Sequence, residues 1–166
     1  MWTAAILAGG RARRLGGLDT SALPVGERSV LDRQLKMLRG LTPHILIVGH
    51  DDLRYREAGV RVVVDRIAGA GALGGLYTAL VAALTQQIIV MACDMPFLTA
   101  PFLVHLAARG AGALRIVDAI AELEVRGIGP AELAPFDPDG RLLVNINTPD
   151  DYARALEAAE PPPRIV

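Results

Sequence analysis

The sequence predicts an α/β protein: a mostly parallel sheet covered by helices on both faces, in a single domain. Three observations carry this. Short apolar runs alternate with stretches of helical spacing over residues 1–108, the pattern of consecutive βαβ units. The runs are apolar throughout rather than alternating, as strands buried on both faces are. A chain of 166 residues that is 52% hydrophobic is long and apolar enough for one core.

Residues 2–8 read as the first buried strand, stopped by Gly9-Gly10. Residues 11–28 read as a glycine-rich loop. Ser29 caps a helix whose Val30, Leu31, Leu35, Leu38 and Leu41 fall at helical spacing, ended by Thr42-Pro43. "HILIVGH" (44–50) and "VRVVVD" (60–65) are strands, the second closing on Asp65. "AGAGALGGLYTALVAAL" (68–84) starts as a glycine loop and turns into a helix. "QIIVMACDMP" (87–96) is an apolar strand closed by Asp94 and Pro96, and Thr99 opens a helix to about residue 108. Beyond it, 114–123 has helical spacing, "GIGPAELAPFD" reads as a short strand or irregular connection, and "PDGRLLVNIN" as a turn and a strand. Thr148 caps a final helix with Pro149 at its first position and Asp150 and Asp151 in its first turn. The domain then spans 1–160, and 161–166 is a tail.

Composition narrows the function. The net charge of −1 leaves no basic excess for nucleic acid. The lone Cys93 excludes an internal disulfide and suits a reducing cytoplasm. No apolar run reaches the roughly 18 residues of a membrane span. The first residues read as a strand and not a leader. With aromatics at 4% and a mean hydropathy of +0.36, the core is made mostly of Ala, Val, Leu and Ile.

The chemistry-bearing residues gather at strand exits, where ligands of parallel α/β sheets bind. "LAGGRARRLGGLDTSALPVG" (7–26) holds five glycines and three arginines directly after the first strand. Glycines let backbone N–H groups approach a phosphate, and arginines add charge-assisted hydrogen bonds. It is neither a Gly-Lys-Ser/Thr phosphate loop nor a G-x-G-x-x-G turn. Asp94 suits Mg²⁺, which takes one or two carboxylates plus phosphate oxygens; it also suits a helix cap. Asp65 fits a ribose or base contact, or a cap for the amides of its loop. Gly74 and Gly75 permit close packing or an anion site. Asn145 and Asn147 share one face of a strand by period 2, for a polar site or for turn chemistry before the last helix. His44, His50 and His105 share no ligand spacing, and Cys93 reads as an inert buried thiol.

These pieces, in this order, resemble the MobA-like nucleotidyltransferases over residues 3–156. "LAGGRARRLGGLD" is similar to their LAGG-x-S-x-R-M-G-x-D-K loop, "VVVDRIAGAGALGGLYTAL" to their Asp-containing strand and Gly-Pro-Leu-x-Gly helix start, "MACDMPFLT" to their Gly-Asp-Met-Pro strand end, and "NINTPDDYARAL" to their Asn-x-Asn-Thr-Pro close. The resemblance implies a Rossmann-like three-layer αβα fold. It implies transfer of GMP from Mg-GTP to molybdopterin with release of pyrophosphate, so Mg²⁺ as cofactor, GTP as substrate and a molybdopterin-like acceptor. Molybdenum cofactor assembly proteins are the implied partners. By the same resemblance Leu7, Ala8 and Gly9 contact the nucleotide, and Gly10 and Arg14 shape the phosphate loop. Asp65 and Gly74 bind nucleotide, and Asp94 is the Mg²⁺ ligand. Arg14 and Asp94 carry catalysis, Thr20 is a nucleotide-binding position, and Asn145 and Asn147 bind nucleotide from the C-terminal side of the site.

Two departures stand out. The family lysine at the end of the loop falls on Thr20, which removes a cation beside the triphosphate; Lys36, the sole lysine, lies in the following helix. The family's acceptor-side segment, between the helix after Asp94 and the final strand, has no equivalent here. Two other readings follow from these: a catalytically reduced paralogue that binds nucleotide or a partner in cofactor assembly, and a CTP or sugar-phosphate transferase of the same fold.

Overall fold

The computed structural model describes residues 1–8, 19–49, 55, 58–67, 69–109 and 127–159. Its centre is a four-stranded parallel sheet of β1 (Thr3–Leu7), β4 (Ile45–Gly49), β5 (Arg61–Val64) and β6 (Ile88–Ala92), in the order β5-β4-β1-β6. Between β1 and β4 lie a small hairpin, β2 (Pro24–Val25) with β3 (Arg28–Ser29), and helix α1 (Val30–Arg39). Helix α2 (Gly71–Ala82) joins β5 to β6, and α3 (Ala100–Arg109) follows β6.

Side chains alternate across the sheet and so build two cores. Ala4 and Ile6 of β1, Ile45 and Ile47 of β4 and Met91 of β6 pack with Leu31, Leu35 and Leu38 of α1 and Phe102 and Leu103 of α3. Ala5, Leu46 and Val48 pack with Ala79 and Ala82 of α2 on the opposite face. Each fully buried leucine or isoleucine adds about 1.5–3 kcal/mol. The result is three layers, αβα, as the sequence predicts. A small residue on α2 lets the helix lie close to β1: a Cβ on Gly75 would stand 3.3 Å from Leu7 Cδ2.

Helix α1 starts where the spacing puts it. Ser29 Oγ accepts from the Asp32 N–H at 3.1 Å and donates to Asp32 Oδ2 at 2.7 Å. The region read as loop up to residue 28 holds more structure: a 3₁₀ turn at Thr20–Ala22 and the hairpin, turned at Gly26 with φ +67°.

The last third needs correction. "GIGPAELAPFD" contains no strand; Pro130–Leu133 is a short helix, α4, continued by a 3₁₀ turn at Ala134–Phe136. Pro130 at a helix start and the run of helix formers after it decide this. Residues 141–147 are not a strand either. The turn between Arg141 and Val144, with the Val144 N–H on the Arg141 carbonyl at 3.1 Å, uses a donor that a ladder would need. The final helix, α5 (Pro149–Ala159), begins as expected, with the Asp151 N–H on Thr148 Oγ1 at 3.1 Å. Glu132 of α4 is held to α3 by His105 Nε2 at 2.8 Å and by Arg109. The expected helix at 114–123 and the tail lie outside the described residues. Among the described residues no helix is long and apolar enough to cross a membrane.

Candidate active site

The strand order reverses at β1: the chain first moves outward to β4 and β5, then returns to place β6 on the other side. The carboxyl ends of β1 and β6 therefore flank the crevice at the switch point of the sheet. Leu7 pairs in register with Ala92, the Cys93 N–H donates to the Leu7 carbonyl at 3.1 Å, and the Ala8 N–H donates to the Val48 carbonyl at 2.7 Å. Leu7 and Ala8 are thus fixed where the glycine-rich loop departs, with Asp94 two residues beyond the end of β6.

Asp94 is partly buried, and burial raises its pKa above the ordinary carboxylate value, with its own backbone N–H pulling the other way. Among the described residues no cation pairs with it. Its turn is gripped from α1: Gln34 Nε2 donates to the carbonyls of Ala92 at 2.8 Å and Met95 at 3.1 Å, and Arg33 Nε donates to the Pro96 carbonyl at 3.2 Å. Gln34 is 2% exposed, and its Oε1 has no hydrogen-bond partner among the described residues. On the other side the Ile146 N–H donates to the Asp94 carbonyl at 2.9 Å.

Ala8 and Asp19, the described residues on either side of 9–18, meet at one phenol. The Tyr55 hydroxyl lies 3.1 Å from the Ala8 carbonyl, 3.1 Å from Asp19 Oδ2 and 3.2 Å from Ser21 Oγ. Asp19 Oδ1 accepts from the Ser21 N–H at 2.9 Å and the Ser21 hydroxyl at 2.7 Å. Burial pushes Tyr55 up to about 12, with the Asp19 charge also raising it and Ser21 opposing, so the phenol stays a neutral donor. Thr20, inside the same 3₁₀ turn, is 6% exposed. The Cys93 thiol is pushed up to about 12, first by burial, then by Asp94 and Asp19, so both carboxylates act on this one strand exit. An inert thiol is what the sequence predicts there.

Asp65 follows β5, its N–H 3.4 Å from the Gly49 carbonyl. Its Oδ1 accepts from the Ile67 N–H at 3.1 Å and from Thr78 Oγ1 at 3.0 Å, so this oxygen caps its own loop and ties it to α2. Gly74 is there for space: a Cβ would stand 2.8 Å from the Ile67 carbonyl oxygen and 3.2 Å from Asp65 Oδ1. The close-packing reading of this glycine is the one the contacts bear out.

Asn145 and Asn147 are exposed on either side of buried Ile146, in an irregular segment rather than on a strand. Asn145 lines a shallow cavity of about 230 Å³ with Phe97 and Asp151. The Asn147 and Thr148 N–H groups donate to Asp151 Oδ2 at 3.1 and 2.9 Å, so the backbone of Asn147 serves the helix start. Hydrogen bonds from Thr148, then from Arg154 and the backbone, hold Asp151 below its ordinary value. Gly9, Gly10 and Arg14 lie outside the described residues.

A family model described as "MobA-like NTP transferase domain" matches residues 4–125. The chain belongs to this family. It is 40% identical over 96 residues to a probable molybdenum cofactor guanylyltransferase of Pelotomaculum thermopropionicum, covering 58% of this chain and 46% of that protein. It is 29% identical to one of Chloroflexus aggregans, over 91% of each chain. In structure it is similar to molybdopterin-guanine dinucleotide biosynthesis protein A of Archaeoglobus fulgidus, with a TM-score of 0.77 at 23% identity, covering 95% of this chain and 98% of that one.

Within the MobA-like frame the residues present fit Mg²⁺. Asp94 is an oxygen donor made costly by burial and matched by no cation among the described residues. No group of three or more His, Cys, Asp or Glu forms a metal cage among the described residues. A carboxylate of this kind is compatible with a cation that takes its other ligands from substrate phosphates. Sequence reasoning missed Asp19, Tyr55 and Gln34. Asp19 and Gln34 carried a signal: an acid at the loop end, and an amide on the apolar face of a helix. Tyr55 carried none.

Proposed function

We propose that the chain transfers GMP from GTP to a molybdopterin acceptor and releases pyrophosphate. The observation that carries this is the placement of Ala8 and of the Asp94 carboxylate, which no cation among the described residues matches, at neighbouring strand exits of the switch point, in a MobA-like chain aligned along 91% of a probable molybdenum cofactor guanylyltransferase. In this reaction a phosphate oxygen of the acceptor bonds to the α-phosphorus of GTP. The bond from that phosphorus to the bridging oxygen breaks, and pyrophosphate leaves with the electron pair. An acceptor phosphate is already anionic at neutral pH and needs no general base. The work is positioning and charge neutralisation.

Leu7, Ala8, Gly9 and Gly10 position the nucleotide at the β1 exit, with Arg14 as the loop cation. Asp65 has one oxygen committed to its loop and offers the other to the ribose or base. Gly74 keeps α2 close enough for this, and Asn145 and Asn147 line the nucleotide site from the C-terminal side. Mg²⁺, when bound, neutralises phosphate charge, and Asp94 is the residue that would hold it. The lone buried thiol and the anionic substrates suit a cytoplasmic protein.

Calorimetry with Mg²⁺ and GTP, then CTP, tests the site, and pyrophosphate release with molybdopterin tests the reaction. Absence of binding to either nucleotide overturns the proposal. Thr20 favours a second reading, because a neutral buried residue replaces the family cation. Nucleotide binding without pyrophosphate release would make the chain a binding protein of cofactor assembly.

A further inference from the structure

Helix α2 is apolar on every side. Its twelve residues, GALGGLYTALVA, contain no charged group. One face packs on the sheet through Gly74, Gly75, Thr78, Ala79 and Ala82. The opposite face carries Leu73, Tyr77, Leu80 and Val81, continued by Leu84, at 43%, 49%, 50%, 46% and 64% exposure. At 100° per residue Leu73, Tyr77, Leu80 and Val81 fall within one stripe about 100° wide, and Leu84 follows just beyond the helix end. A helix apolar all round is ordinarily covered on all sides. Beside it β5 is the edge strand of the sheet among the described residues, with Val64 57% exposed.

We infer that this face docks a second copy of the same chain, α2 against α2, about a two-fold axis. Two arguments select that occupant. A two-fold contact sets a patch against itself, so a patch of one sign repels itself while an uncharged one does not; the α2 stripe bears no charge. Its size also fits. Five large side chains about half exposed offer on the order of 500 Å² of apolar surface, roughly the apolar share of one side of a standard 800 Å² interface. The adjacent β5 edge is shielded by the same contact.

Sedimentation or light scattering of the full chain at tens of micromolar decides the matter. The expected result is a dimer, converted to a monomer by Leu80→Glu and, independently, by Leu84→Glu, with circular dichroism and Tm close to wild type because both side chains point outward. A wild-type monomer overturns the proposal and leaves the stripe to a partner protein. A dimer that persists in both variants overturns it as well, because the contact then lies elsewhere.

Discussion

The Tyr55 hydroxyl stands 3.1 Å from the Ala8 carbonyl and 3.1 Å from Asp19 Oδ2, so one side chain fastens the two described residues that flank 9–18. Tyr55→Phe keeps the ring and removes the hydroxyl with its contacts to Ala8, Asp19 and Ser21. The buried Ala8 carbonyl and the part-buried Asp19 carboxylate lose a donor, at about 1–3 kcal/mol of stability. If the clamp sets the loop span, GTP affinity falls further than this loss alone explains, read by calorimetry at a temperature where the variant is fully folded. Unchanged affinity with lowered stability would make the clamp purely structural.

Asp94 separates stability from binding. Its pKa is raised on folding by burial, so the folded state is favoured at acid pH, where the group is neutral, and loses that advantage as pH rises through the folded-state value. Asp94→Asn is therefore expected to raise Tm at pH 7 while removing Mg²⁺-dependent GTP binding. Thermal melts from pH 4 to 8, with and without Mg-GTP, check both halves.

Gly74→Ala drives a methyl into the Ile67 carbonyl at 2.8 Å. The start of α2 must shift, at about 1–3 kcal/mol. Urea titration measures the loss, and a weaker thermal shift with GTP shows that the Asp65 loop moved with it.

Thr20→Lys restores the family cation from a position 6% exposed. The ammonium must reach the crevice or be buried, so stability falls. Pyrophosphate release is expected to rise by up to about 10²-fold, the size of one transition-state donor. A rise would show the rest of the site competent; no rise would place the deficit elsewhere.

Asp151 is held below its ordinary value by Thr148 and its neighbours. The stabilisation is present above the ordinary aspartate pKa and is lost as pH falls through the lowered folded-state value. Amide exchange at Asn147 and Thr148 is expected to speed up in that acid window, and Asp151→Asn to abolish the pH dependence.

The βαβ body was legible because its signals are local. Apolar runs, the Ser29 and Thr148 caps and the glycine and aspartate stops all act within a few residues. Asp65 and Asp94 were placed for the same reason, since a strand exit can be read without knowing its neighbours. Asn145 and Asn147 were misassigned to a strand because alternation survives without a ladder: Ile146 is buried between them, yet its N–H serves the Asp94 carbonyl alone. Pro130–Leu133 was missed because glycines and prolines around it read as a break. Tyr55 was invisible because its role rests on contacts 47 and 36 residues away in the chain.

The clasp of His105 and Arg109 on Glu132 has a consequence for how such a protein diversifies. It brings together positions 23 residues apart in the chain, so the body ends at two neighbouring anchor points whatever runs between them. Loop closure depends only logarithmically on length, each doubling costing about 0.6 kcal/mol. Segments of quite different size can be exchanged at this socket while the sheet, the β1 exit and Asp94 stay in register. A lineage can in this way vary what lies between the anchors while the strand exits keep their places.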